Sequence, residues 1–215
     1  MAERDYFPQR VNLHVPDMQY AAEVGENGIG EFSIGAPAAA DAAAILNDQS
    51  IATAGSQTTL LLSELEGTYG RALTVKASGA ATSNVTVIGR DYLNQPMKES
   101  FTLNGTTAVN GKKAFKYIDE VTFGATSATT IDLGTLDVFG LPFKAKVLLS
   151  SIQDGAVAGT AHTFVAGVAT DPATATTGDP RGTIDPNSAA DGSKVFGGIA
   201  LFDKTNLHGV EQYFA

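Results

Sequence analysis

The chain of 215 residues contains no cysteine and no tryptophan. Without cysteine there is no thiol nucleophile, no thiolate metal site and no disulfide framework, so stability has to come from packing or association. Without tryptophan, and with six tyrosines, the broad aromatic platform on which sugars stack is thin. Charged residues make up 17% of the chain, where soluble domains carry about a quarter. No segment approaches the ~20 apolar residues of a membrane helix. The opening Met1-Ala2-Glu3-Arg4-Asp5 is charged and leads into no apolar signal segment. These features predict a protein made in a cytoplasm, with no membrane partner.

Positive charge is scarce as well. The 14 Lys and Arg are outnumbered by 23 Asp and Glu, giving a formal net charge of −9. That field opposes a polyphosphate rather than complementing it, so nucleic acid is not an expected partner. Small residues are abundant instead, with 23 glycines and many Ala and Thr. Few charges and many small side chains suit a protein that hides its surface against neighbours, and equally a β-sandwich with a bland surface.

What is present is strand alternation. Between Gly70 and Ala125, Leu73 and Val75 alternate with Thr74 and Lys76, and Phe101 and Leu103 with Ser100 and Thr102. Side chains of a strand point to opposite faces in turn, so these runs have one wet and one dry face. Asn94-Gln95-Pro96, Asn104-Gly105 and Asn110-Gly111 separate them, and Asn-Gly is a strong hairpin signal. The stretch predicts a β-meander. Further strands are expected over 131–138, 144–149, 162–167 and 195–202, with nothing between them long enough to be a crossover helix. The expected fold is mainly β, an antiparallel β-sandwich or β-barrel.

Two segments differ from this body. Residues 1–66 read as an extended N-terminal arm, with Pro8 and Pro16 interrupting its apolar residues and four glycines between Gly25 and Gly35. Ala38 to Asn47 has either the composition of one short helix, with Pro37 near its first turn, or that of an Ala-rich linker. Residues 67–215 form the expected antiparallel β domain. Within it, 171–193 is a long Thr/Pro/Gly/Asp loop, a length that usually signals function or docking.

Candidate sites dissolve into turn chemistry when tested. Gly105 to Lys113 superficially resembles a phosphate loop, but it has one residue too many between its glycines and no Ser or Thr after the lysine. Asp185, Asn187 and Asp191 resemble a calcium loop whose fifth and twelfth positions are Ala189 and Phe196, neither of which ligates. His14, His162 and His208 form no short-range pair, and no Gly-x-Ser-x-Gly elbow supplies a nucleophile. Glu99 shares a strand face with Met97 and Phe101, where an edge position or a salt bridge to Lys113 or Lys116 is expected ahead of an acid catalyst. Asn84-Val-Thr86 and Asn104-Gly-Thr106 are formal glycosylation sequons that read as turn residues when no secretory signal precedes them. No catalytic, cofactor-binding or metal-binding residue is assigned, and no cofactor is expected.

The run from Val85 to Gly105, V-T-V-I-G-R-D through a polar turn to E-S-F-T-L-N-G, continuing to Gly111-Lys-Lys-Ala-Phe115, resembles a pattern of tailed-bacteriophage structural proteins. Pro180 to Pro186, Asp191 to Ser193 and Leu207 to Tyr213 are similar to later parts of such proteins. The resemblance covers about half of the chain. It implies a head decoration or cement protein on the outer capsid surface of the virion, without enzymatic activity. The implied partners are the major capsid protein and further copies of itself, with a trimer favoured. Such a protein would bridge capsid subunits, and the arm, with Phe7, Val11, Leu13, Val15 and Tyr20 as anchors, would lace them together. The alternatives are a neck, tail or baseplate component, or a carbohydrate-binding β-sandwich.

Overall fold

The computed structural model describes residues 27–127 and 129–212. Among them there is no helix, and every pairing between named strands is antiparallel. The fold is all-β and of the sandwich or barrel kind, as the alternation predicts. Fourteen strands are arranged in three sheets.

The first sheet has the order β1 (Asn27–Gly35), β14 (Phe196–Asp203), β10 (Ala145–Gln153), β11 (Ala156–Val157). The second runs β12 (Thr163–Ala166), β13 (Gly182–Asp185), β9 (Thr130–Gly140), β4 (Arg71–Ala77), β7 (Val109–Asn110), with β2 (Leu46–Ser50) also on β9. The third runs β3 (Gly55–Gln57), β8 (Tyr117–Phe123), β5 (Asn84–Arg90), β6 (Pro96–Thr102).

Strand β9 spans the two cores that organise the molecule. Its Ile131 and Leu133 pack with Val75, Val85, Val87, Phe101 and Phe115 between the second and third sheets. At its other end Phe139, with Leu141 just beyond, packs with Phe32, Ile34, Phe196 and Phe202 between the first and second sheets. A strand buried along so much of its length loses strict alternation, and β9 carries Gly134 and Thr135 where neighbours approach closely.

The meander between Gly70 and Ala125 is only partly formed. The hairpin of β5 and β6 is regular from Asn84 opposite Thr102 to Arg90 opposite Pro96. Its turn is made by Asp91 to Gln95, with Asn94 at φ 64° and Asp91 Oδ1 accepting from Gln95 N at 2.9 Å. But β4 belongs to the second sheet, and β8 pairs with β5 rather than with its sequence neighbour. Asn104-Gly105 turns the chain, with Gly105 at φ 56° and Thr107 N donating to Asn104 O, yet it carries the chain from the third sheet into the second. Asn110-Gly111 is no hairpin turn: Asn110 lies in β7 and Gly111 N donates to Leu73 O at 2.7 Å. The Asp-Gly hairpin of this chain is Asp154-Gly155, both with positive φ, joining β10 to β11.

Three further expectations are corrected. The helical reading of 38–47 fails: turn and bend residues lead into β2, whose Leu46 is buried against the core. Alanine supplies helix propensity but no apolar face with which to hold a helix on a sheet. The boundary at 66/67 does not separate the described residues, because β1, β2 and β3 each join a different sheet. The loop 171–193 contains β13, with Arg181, Thr183 and Ile184 buried.

Candidate functional site: a buried charged cluster

The sheets bring together side chains that were far apart in the sequence. Glu99 of β6 points inward beside Met97 and Phe101 and is only 4% exposed. Its Oε1 accepts from Lys112 N at 2.6 Å, and its Oε2 has no hydrogen-bond partner among the described residues. Burial pushes its carboxyl up to about 7, against the pull of that backbone donor and of the Lys113 charge. Although β6 is the terminal strand of the third sheet, Glu99 is not exposed there, and among the described residues it forms no salt bridge: Lys116 pairs instead with Glu64 at 3.2 Å.

Lys113 is fully buried. Its Nζ donates to Thr174 O at 2.6 Å and to the side chain of Gln212. Desolvation pulls its ammonium down to about 8, partly opposed by Glu99 and Asp179. Asp179, also buried, accepts from Ala114 N at 2.9 Å through Oδ2, and from Arg181 N and Gly182 N at 2.8 and 3.1 Å through Oδ1. Burial raises its pKa, and the Arg181 charge and these donors oppose the rise. Arg181 reaches Asp91 at 3.4 Å, while its Nη2 is buried without a hydrogen-bond partner among the described residues.

These contacts tie three segments to the third sheet. Ser100 N donates to Ala175 O at 2.8 Å, Ala173 N to Glu211 O, and the Gln212 side chain to Ala173 O. Segment 171–182 is thereby strapped over β6 by Lys113 beneath it and residues 211–212 beside it. The acid and base that a catalyst would need are present, but each already serves the backbone. A 620 Å³ groove elsewhere is lined by Ala80 to Thr82, Asn104 to Thr107 and Thr126, which include no titratable group. The arrangement can anchor a strap.

The other sequence candidates lie apart from this cluster. Gly111 to Lys113 packs around the Glu99 carboxyl group: a Cβ on Gly111 would meet Glu99 Oε2 at 2.8 Å. In the calcium-like run Asn187 bonds the Ala161 carbonyl, while Asp191 Oδ1 accepts from Ser193 N and Lys194 N at 3.0 Å, an Asx turn. These donors hold Asp191 well below the usual carboxylate range. Among the described residues no three His, Asp or Glu side chains are placed to share a metal ion. His162 is buried beside Phe196 and His208 is exposed. His14 and the anchors Phe7, Val11, Leu13, Val15 and Tyr20 lie outside the described residues.

Lys113, Asp179 and Arg181 were not legible as one site, because no spacing rule links residue 113 to residue 179. Comparison of the chain with protein-family models, with curated proteins and with solved structures gave no match.

Proposed function

We propose that this chain is a structural protein of a virion, a decoration or cement protein that binds the outside of a tailed-phage head and bridges major capsid protein subunits. The observation that carries this reading is the outer face of the first sheet. Across it, Ile29 of β1, Leu201 of β14 and Val147 of β10 stand in register. In the next row Ile199 stands between Glu31 and Ser150, with Leu149 in the bulge beside it, and Ile29, Val147 and Leu149 are 38%, 45% and 52% exposed. A cluster of aliphatic side chains left exposed among the described residues marks a contact surface.

The acidic, cysteine-free composition and the resemblance of Val85 to Phe115 to phage structural proteins support the same reading. Function would then reside in interface burial. Each copy would span two or more subunits, and many copies acting together would turn modest contacts into high avidity.

The test mixes purified protein with capsid shells lacking it and measures co-sedimentation and the heat resistance of the shells. Saturable binding at hundreds of copies per shell, with a raised disruption temperature, supports decoration. Binding at a dozen copies or fewer points to a neck, tail or baseplate role. No binding and no stabilisation remove the proposal.

A further inference from the structure

The amine of Lys113 and the side-chain amide of Gln212 are pressed together inside the fold. Lys113 is fully buried, and its Nζ donates to Thr174 O at 2.6 Å and to Gln212 Oε1. The same amide is fixed at its other end, where Gln212 Nε2 donates to Ala173 O at 2.8 Å. The backbone repeats this clamp, with Ala173 N donating to Glu211 O at 2.8 Å and Ala173 bridged in parallel to Gln212. The amine thus rests on a carbonyl oxygen whose carbon is one bond farther on, and both groups are pinned.

An amine and a primary amide in contact are the reactants of a transamidation. In water such a pair is inert, because the amine is protonated and each encounter is brief. Here burial favours the neutral, nucleophilic amine, drawing the Lys113 ammonium down to about 8 against the charges of Glu99 and Asp179. Asp179 is in turn offset by the Arg181 charge. Among the described residues no carboxylate forms an ion pair with Lys113 that would hold it charged. Fixing both reactants in contact can raise their effective concentration to on the order of 10⁵ M.

We propose that Lys113 and Gln212 join in a self-formed isopeptide bond, a covalent cross-link between the 112–114 link and the segment 211–212. The ammonium first gives its extra proton to solvent. The Nζ lone pair then forms a bond to Gln212 Cδ while the carbonyl π pair moves onto Oε1. That pair returns as the Cδ–Nε2 bond breaks, and Nε2 takes a proton from Nζ and leaves as ammonia. Nothing is oxidised or reduced, and no co-reactant is needed. The two residues are 99 apart in sequence, so the bond closes a loop that contains β8 to β14. In a chain without cysteine it supplies the constraint on unfolding that a disulfide would otherwise give. Until it closes, Lys113 titrates as a free amine. This inference is independent of the capsid reading, and shell binding is not its readout.

The test is the intact mass of the full chain, incubated folded at about pH 9, above the Lys113 value of about 8, followed by peptide mapping. The expected product is lighter by one ammonia and yields a branched peptide joining residues 113 and 212. It should accumulate at least about tenfold faster in the folded chain than in urea, because only folding holds the pair in contact. Gln212→Leu, at a half-buried position near the end of the chain, should keep its full mass. A wild-type chain that keeps the full mass of its sequence overturns the proposal. Ammonia can also be lost by ring closure at Asn104-Gly105 or Asn110-Gly111. A loss that persists in Gln212→Leu, with no branched peptide in wild type, assigns it to those sites and overturns the proposal equally.

Discussion

Arg71 and Asp137 form an ion pair at the junction of the two cores, with Arg71 Nη2 donating to Asp137 Oδ1 and the guanidinium 2% exposed. Arg71 also donates through Nε to Leu136 O and through Nη1 to Ala38 O at 3.0 Å, and it lies 5.0 Å from the centroid of the Phe139 ring. The other oxygen of Asp137 accepts from Ala190 N at 3.2 Å. One pair thus fixes β4, the C-terminal half of β9, and the segments at 38 and 190. Desolvation lowers the pKa of Arg71, and the adjacent Asp137 charge offsets part of that.

Asp137→Ala should therefore destabilise the fold by ~3 kcal/mol, because it leaves a buried guanidinium uncompensated. Arg71→Met combined with Asp137→Leu should cost less than the sum of the single changes, since no charge is left stranded. Urea unfolding of the four proteins gives the coupling directly. Additive losses would mean that the pair does not act as a unit.

A second prediction concerns pH. Folded Glu99 holds its proton up to about 7, whereas its ordinary value is 4.5. Between those values the folded state binds more protons than the unfolded state, so this residue's contribution to stability falls as pH rises through that window. Glu99→Gln keeps an acceptor for Lys112 N and removes the titration. It should match wild type near pH 4.5 and exceed it at pH 8 by up to ~3 kcal/mol. Denaturant midpoints measured across that range test it, and a constant difference between the two proteins would refute it.

Lys113 has the opposite slope. Its folded value of about 8 lies below the ordinary 10.5, so between them the unfolded state binds the extra proton and stability rises with pH. Lys113→Met should flatten that alkaline limb and remove the anchors to Thr174 and Gln212. Exchange of the amides at 173 and 100, which bond Glu211 O and Ala175 O, should accelerate by tenfold or more, while β9 stays protected. Unchanged exchange at both sites would show that the strap does not depend on the lysine.

The local signals in this chain read well and the long-range ones did not. Val85 and Val87, and Met97, Glu99 and Phe101, alternate as a half-buried hairpin should, and β5 and β6 form it in full register. Asn110-Gly111 carries an equally strong turn signal, but Gly111 is there because Glu99 Oε2, Leu73 O and the Phe101 ring leave no room for a Cβ. Strand β1 was hard to see because its three glycines dilute the alternation, although Phe32 and Ile34 alone face the core. The charged cluster was invisible for a different reason. Its members come from β6, the 112–114 link and the 171–182 strap, and only the folded topology makes them neighbours.

Close packing around Gly134 supplies the sharpest test of that topology. A Cβ at this position of β9 would fall 2.0 Å from Asp41 O and 2.2 Å from the Ala42 carbonyl carbon, both backbone atoms. The contact exists because Thr135 N donates to Asp41 O at 2.8 Å and Ile45 N to Leu133 O at 2.9 Å, holding segment 41–45 flat against β9. No rotamer change can relieve a clash with main chain, so the 41–45 segment would have to lift and expose Ile45 and Leu46. Gly134→Ala should destabilise by 3 kcal/mol or more (order of magnitude). Gly159→Ala, where no atom lies within 4 Å of the added Cβ, should stay within about 0.5 kcal/mol of wild type. Thermal unfolding of both variants decides it, and equal stability would mean that 41–45 does not lie on β9.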